Sequence, residues 1–231
     1  MTSRSTAGGS RLRDNALSLL FALLLVLTLL GQSFVGLAQY NSNAAAAQLQ
    51  EISWGRYVTS SSFAVDVAEN WQSEYLQFIL FILLAVWLVQ RGSSESKKAG
   101  EEGRRSDEDQ LVGEYATAES PRWVRAGGWR TAVYSHSLVI VMAAIFLGAW
   151  AAQAIAGHVA YNEEQLRDLL EPVSLGQYLV SADFWNRTLQ NWQSEFLAVG
   201  SMTVFAIYLR ERGSPQSKRV GAPHDETSSD E

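Results

Sequence analysis

Two glutamates, Glu74 and Glu195, occupy the same word: NWQSEYL begins at Asn70 and NWQSEFL at Asn191, each at the edge of a strongly apolar run. Paired carboxylates set among amides and indoles can bind a cation or share a proton. In hydrocarbon an ionised side chain costs about 2.5–3.5 kcal/mol, so it turns to a bundle interior, a partner or water. On a helix Asn70, Glu74 and Gln77 fall at i, i+4 and i+7 and share one face. The second copy has Ala198 where Gln77 would fall, so the copies are similar but not equivalent. Gln32 and Gln153 lie near the ends of two other apolar blocks, and by helical rise they and the glutamates sit within about 5 to 10 Å of an outer membrane boundary. The candidate site is a polar cluster in the outer leaflet: Gln32, Asn70 and Glu74 with Gln153, Asn191 and Glu195.

A structural role competes with this one and leads it. Trp71 and Trp192 suit the membrane interface, Asn and Ser can cap a helix, and a carboxylate near a helix N-terminus is favoured by the macrodipole. If the helices start earlier, at Ser62 and its counterpart Asp183, the capping passes to those residues and the structural role weakens.

The elements that must position these groups are four apolar blocks, at about 16–38, 71–89, 136–157 and 192–209. At about 1.5 Å per residue the first is long enough to cross a hydrocarbon core of about 30 Å. A secretory signal peptide is its rival, since Arg11 and Arg13 precede it and GLA resembles a cleavage site. The third block, its counterpart, lies mid-chain, which decides for a membrane helix. The match goes further: an offset of 121 pairs Gln32 with Gln153, Gly36 with Gly157, Tyr40 with Tyr161, Tyr57 with Tyr178 and RGSSESK with RGSPQSK. One offset from about Leu12 to Lys97 implies duplication of a two-helix unit.

Lysine and arginine set the orientation. Arg4, Arg11 and Arg13 precede the first block; Arg91, Lys97, Lys98, Arg104, Arg105, Arg122, Arg125 and Arg130 lie between the halves; Arg210, Arg212, Lys218 and Arg219 end the chain. The loops 39–70 and 158–191 carry only Arg56, Arg167 and Arg187. The positive-inside rule then makes both termini and the middle connection cytoplasmic, and the repeats parallel. The division expected is a disordered tail at 1–11, repeat 1 at 12–97, a flexible linker at 98–120, repeat 2 at 121–218 and a disordered tail at 219–231. The linker is charge-rich and nearly free of large apolar side chains.

Trp123 and Trp129, among arginines in PRWVRAGGWR, read as interfacial anchors before the third helix, ahead of a specific phospholipid site. Ala144, Gly148, Ala152 and Ala156 form a small-residue ridge that permits close helix approach, most simply within the molecule. The repeated S-x-G-x-Y reads as a short interfacial helix, with a re-entrant lid as the alternative. The formal net charge of −6 argues against a general nucleic-acid binder. The absence of cysteine excludes disulfides, thiol catalysis and thiolate metal sites. No metal-ligand spacing joins His136, His158 and His224, and no phosphate loop or nucleophile elbow is present. No catalytic residue, metal or cofactor is expected, and the chain is not read as an enzyme.

With SSSFAVDVAENWQSEYLQF, SADFWNRTLQNWQSEFLAVGSM and RGSPQSK on the page, the chain resembles domain-of-unknown-function family 6766 from about Leu12 to His224. The resemblance implies bacterial origin, four membrane helices and no established activity. The expectation is an all-α membrane protein of the bacterial inner membrane, with four transmembrane helices as two parallel two-helix repeats. It serves as a non-catalytic component or accessory subunit; the alternative is a small channel or carrier for a cation, proton or small solute using Glu74 and Glu195. Its partners are the lipid bilayer and either a further copy or another membrane protein.

Overall fold

The computed structural model describes residues 12–227, and among them every regular element is a helix. The expected tail at 1–11 and residues 228–231 of the second tail lie outside the described residues. In chain order the α-helices are α1 (Ala16–Ala46), α2 (Trp54–Tyr57), α3 (Ser61–Trp87), α4 (Arg122–Ala126), α5 (Gly128–Ser135), α6 (Ser137–Arg167), α7 (Leu175–Leu179) and α8 (Ala182–Tyr208). A 3-10 turn at Gly113–Tyr115 lies in the connection between α3 and α4.

α1 and α6 each have 31 residues, α3 and α8 each have 27, and a short helix stands between the members of each pair. Each bound of α6 and α8 differs from that of α1 and α3 by the same 121 positions. Two helices, α1 and α6, are long and apolar enough to cross a membrane. The leucines of α1 are largely exposed, among them Leu20, Leu23, Leu24 and Leu27. α3 and α8 outrun their apolar blocks, with polar and charged first halves and uncharged second halves.

The chain forms two compact units, Met1–Ala64 with Val159–Pro172, and Val65–His158 with Val173–Glu231. In the first, α2 folds back on α1. The Trp54 indole donates to Ser33 Oγ at 3.0 Å, its ring stacks on Phe34, and Asn41 bonds both backbone groups of Ile52. Tyr57, 3% exposed, closes this contact against Gly36. In the second unit Tyr178, fully buried, packs on Gly157 in the same way. α7 is started by a capping box in which Ser174 and Gln177 bond each other's backbone. The repeated S-x-G-x-Y therefore forms a short helix whose tyrosine requires a glycine opposite.

A β-carbon at Gly157 would lie 2.4 Å from Tyr178 Oη, and one at Gly36 would lie 2.2 Å from Tyr57 Oη. Gly157→Ala is expected to lower stability by about 1–3 kcal/mol through overpacking. Adding Tyr178→Phe, which removes the clashing oxygen, should restore part of that. Thermal unfolding in detergent reads both, and an unchanged midpoint for Gly157→Ala would contradict the packing described.

Candidate functional site

The two words lie well inside their helices. Ser60 Oγ accepts from the Phe63 amide and Ser181 Oγ from the Phe184 amide, each at 3.3 Å, so capping falls to serines far upstream of Asn70 and Asn191. Freed from capping, both asparagines bond back to their own helix. Asn70 Nδ2 donates to the Asp66 carbonyl at 2.7 Å, and Asn191 Nδ2 to the Arg187 carbonyl at 2.9 Å.

Within the first word the buried members are Gln72, 0% exposed, and Ser73, 1% exposed. Both reach across to α8: the Trp192 indole donates to Gln72 Oε1 at 2.8 Å, and Ser73 Oγ donates to Glu195 Oε1 at 3.2 Å. Glu74, on the exposed side, is close enough to Glu195 for the two charges to interact. Toward the start of the helices, Arg187 bonds Glu69 on α3 and Asp183 on its own helix, each at 3.3 Å. Tyr178 Oη donates to the same Asp183 carboxylate at 3.3 Å. The result is a polar ladder of three rungs between α3 and α8: Glu69 with Arg187, Gln72 with Trp192, and Ser73 with Glu195.

α6 covers the ladder from another side. Gln153 Nε2 donates to Thr188 Oγ1 at 3.2 Å, and both side chains are fully buried. One turn earlier on α6, Trp150 gathers Phe146, Phe184, Trp185 and Trp192 around its ring, with centroids 5.6 to 6.4 Å away. Three buried polar atoms in this region have no hydrogen-bond partner: Gln72 Nε2, Trp150 Nε1 and Gln153 Oε1.

The expected cluster is thus brought together in part. Glu74 and Glu195 are close enough for their charges to interact, Gln153 is buried beside Thr188, and the asparagines serve their own helices. Gln32 is half-buried on α1, in the other unit. The expected anchors divide: Trp71 is exposed whereas Trp192 is turned inward to Gln72. Trp123 and Trp129 meet edge to face at 5.9 Å across a joint made by Gly127 and Gly128, both at positive φ, and Arg130 lies over the Trp129 ring. The ridge of Ala144, Gly148 and Ala152 is exposed, and nothing lies within 4 Å of a β-carbon built on Gly148. Ala156, the fourth member of the ridge, is half-buried, and the buried side of α6 is Ala149, Gln153 and Gly157, where the aromatic and amide contacts lie.

Asp66, Glu69, Gln72, Ser73, Tyr178, Arg187 and Thr188 were not among the residues singled out as a site. Arg187 offered a signal, as one of only three outer-loop cations and four residues after Asp183. Ahead of the words, burial pushes the carboxyls of Asp66 and Glu69 above the usual range, and the Arg187 guanidinium opposes this. Burial and the nearby Asp183 carboxylate raise the Tyr178 phenol, so it stays protonated and donates.

Against known proteins, one family model, described as a domain of unknown function, matches residues 9–229. The chain belongs to that family, DUF6766. No curated protein and no solved structure matches it. Family membership therefore assigns no activity, and the arrangement of the ladder carries the functional argument.

Two substitutions test the ladder's electrostatics. A carboxyl whose folded pKa is raised holds its proton more tightly in the folded state. Its ionisation therefore costs stability as pH rises from the unfolded value, 3.8 for Asp66, through the raised one. Asp66→Asn should raise the melting temperature at pH 7 and reduce the gain in stability between pH 7 and pH 4. Arg187→Gln should lower stability by about 1–2 kcal/mol, the larger loss of a buried pair being reduced by screening at a side chain 37% exposed. Melting curves at both pH values check these signs, and a drop for Asp66→Asn at pH 7 would contradict them.

Proposed function

We propose that the chain is a multi-pass protein of the bacterial inner membrane in which α1, α3, α6 and α8 all cross the bilayer as two parallel two-helix repeats. Both termini and the connection at 98–120 face the cytoplasm. It acts as a non-catalytic membrane component, an accessory subunit that joins another membrane protein or a further copy of itself.

The observation that carries this reading is the use made of the repeated word. Asn70 Nδ2, Gln72 Oε1, Ser73 Oγ, Asn191 Nδ2 and Trp192 Nε1 are all spent on helix-to-helix and local bonds. The words therefore fasten α3 to α8 and present no set of converging reactive groups. Exposed Phe78, Leu83 and Leu84 on α3, with Phe196, Leu197 and Phe205 on α8, support lipid contact by the inner halves of these helices. The lysine and arginine distribution supports the orientation. Matching helix bounds at an offset of 121 support the duplication.

A second reading rests on Glu74 and Glu195. Two interacting carboxylates, one accepting from Ser73, can share a proton or hold a cation, as a small carrier requires. The two readings separate in one experiment. Because the chain has no cysteine, single thiols at positions 74 and 195 can be probed on intact cells with a membrane-impermeant reagent. Glu51 and Gln110, both exposed, serve as outer and inner controls. The fastening role predicts labelling at 51 but protection at 74, 195 and 110 until detergent is added. Ready labelling at 74 and 195 would favour the carrier, whose flux in proteoliposomes should then be abolished by Glu74→Gln with Glu195→Gln.

A further inference from the structure

The connection after α3 folds back on the end of that helix. The Gly103 amide donates to the Val86 carbonyl at 2.7 Å, Lys97 Nζ donates to the Gly103 carbonyl at 2.6 Å, and Ser96 Oγ accepts from the Gln90 amide at 2.7 Å. These bonds border a broadly open recess of about 370 Å³. One wall is apolar, from Ile82, Ala85 and Val86 of α3, and the other carries Lys97 and Arg105 with Glu95 and Glu101.

The charges on that wall are balanced two against two. Among the described residues no ion pair joins them to one another. An anion alone would leave the carboxylates unanswered, and a cation alone would leave Lys97 and Arg105 unanswered. A ligand carrying both a positive and a negative group answers all four. Burial also raises the Glu95 carboxyl above its usual range, which a donor ammonium would relieve.

The other half of the chain sharpens the point. RGSPQSK repeats the local fold of RGSSESK: Ser217 Oγ accepts from the Glu211 amide as Ser96 does from Gln90, and Gly213 and Gly92 have φ of 84° and 86°. There, however, the lysine is consumed. Lys218, 2% exposed, donates to the carbonyls of Gly92, Pro223, His224 and Glu226. At the same offset of 121, Glu95, Glu101 and Arg105 correspond to Gln216, Ala222 and Glu226. The same loop is a clamp in one half and the rim of a charged recess in the other.

We propose that this recess binds the head group of a zwitterionic phospholipid, a phosphoethanolamine unit. Lys97 and Arg105 take the phosphate and Glu95 and Glu101 the ammonium. The acyl chains run along the apolar wall of α3. The lipid as source rests on the membrane reading above, whereas the head-group chemistry does not.

The full chain in detergent is titrated with short-chain phosphatidylethanolamine, short-chain phosphatidylglycerol and free phosphoethanolamine, and binding is read by native mass spectrometry. Phosphatidylethanolamine should bind at least ten-fold more tightly than phosphatidylglycerol. Glu101→Gln should erase that preference, and Arg105→Gln should weaken both lipids by a similar factor. Both side chains are exposed, so the variants should fold. Equal binding of the two lipids by the wild type, or a preference that survives Glu101→Gln, overturns the site. Free phosphoethanolamine binding as tightly as the lipid would assign the site to a soluble head group, and much weaker binding assigns it to the lipid. Alkaline carbonate extraction keeps the two claims apart. Release of the chain with head-group binding intact overturns the membrane reading alone, and a retained chain without head-group preference overturns the site alone.

Discussion

The structure depends on one shortage of apolar length. The uncharged inner stretches of α3 and α8, 75–87 and 196–208, each rise about 20 Å, short of a hydrocarbon core of about 30 Å. If these helices cross, the polar words must lie at membrane depth. Each polar group there needs an internal partner, because water supplies none. The ladder between α3 and α8 meets that need for Gln72 Oε1, the Trp192 indole and the Ser73 hydroxyl, with one ion pair ahead of the words, and leaves Gln72 Nε2 buried without a partner. α6 adds the Gln153 to Thr188 bond and an aromatic cover around Trp150.

Duplication would make this pairing easy to build, and divergence makes it specific. The word NWQSE stands on both helices, yet its members do different work on each. Gln72 is buried where its counterpart Gln193 is exposed, and Trp192 donates inward where Trp71 is exposed. Arg187 stands where the first half has Asp66, so a cation on α8 meets the acidic start of α3. The same division of labour recurs at the other end, where Lys218 is locked among carbonyls and Lys97 lines a recess.

Much of the helical scaffold was legible in the sequence because hydrophobic blocks and a fixed offset are local, additive signals. α1 and α6 could be read from their length and lack of charge alone. The short helices α2 and α7 were foreshadowed by S-x-G-x-Y. Helix starts were less legible: the words resemble caps, but Ser60 and Ser181 perform that role because the pattern of apolar residues thins out upstream without ceasing. The site was legible only in outline. A word shows which residues recur, whereas the side of the helix that is buried depends on where α6 and α8 pack. That is why Gln72 and Ser73, rather than Asn70, form the contacts. Arg187 was visible as a rare charge, but its partner Glu69 lies 118 residues away, a pairing that no local pattern encodes.

The rung that tests the account most directly is Gln72 with Trp192, since both change without altering net charge. A double-mutant cycle of Gln72→Leu and Trp192→Phe, read as unfolding free energy in detergent, isolates that one bond. The ladder predicts a coupling of about 1 kcal/mol, the worth of a single hydrogen bond between neutral groups. Additive effects, with no coupling beyond error, would mean that α3 and α8 do not meet in this register, and would contradict the account.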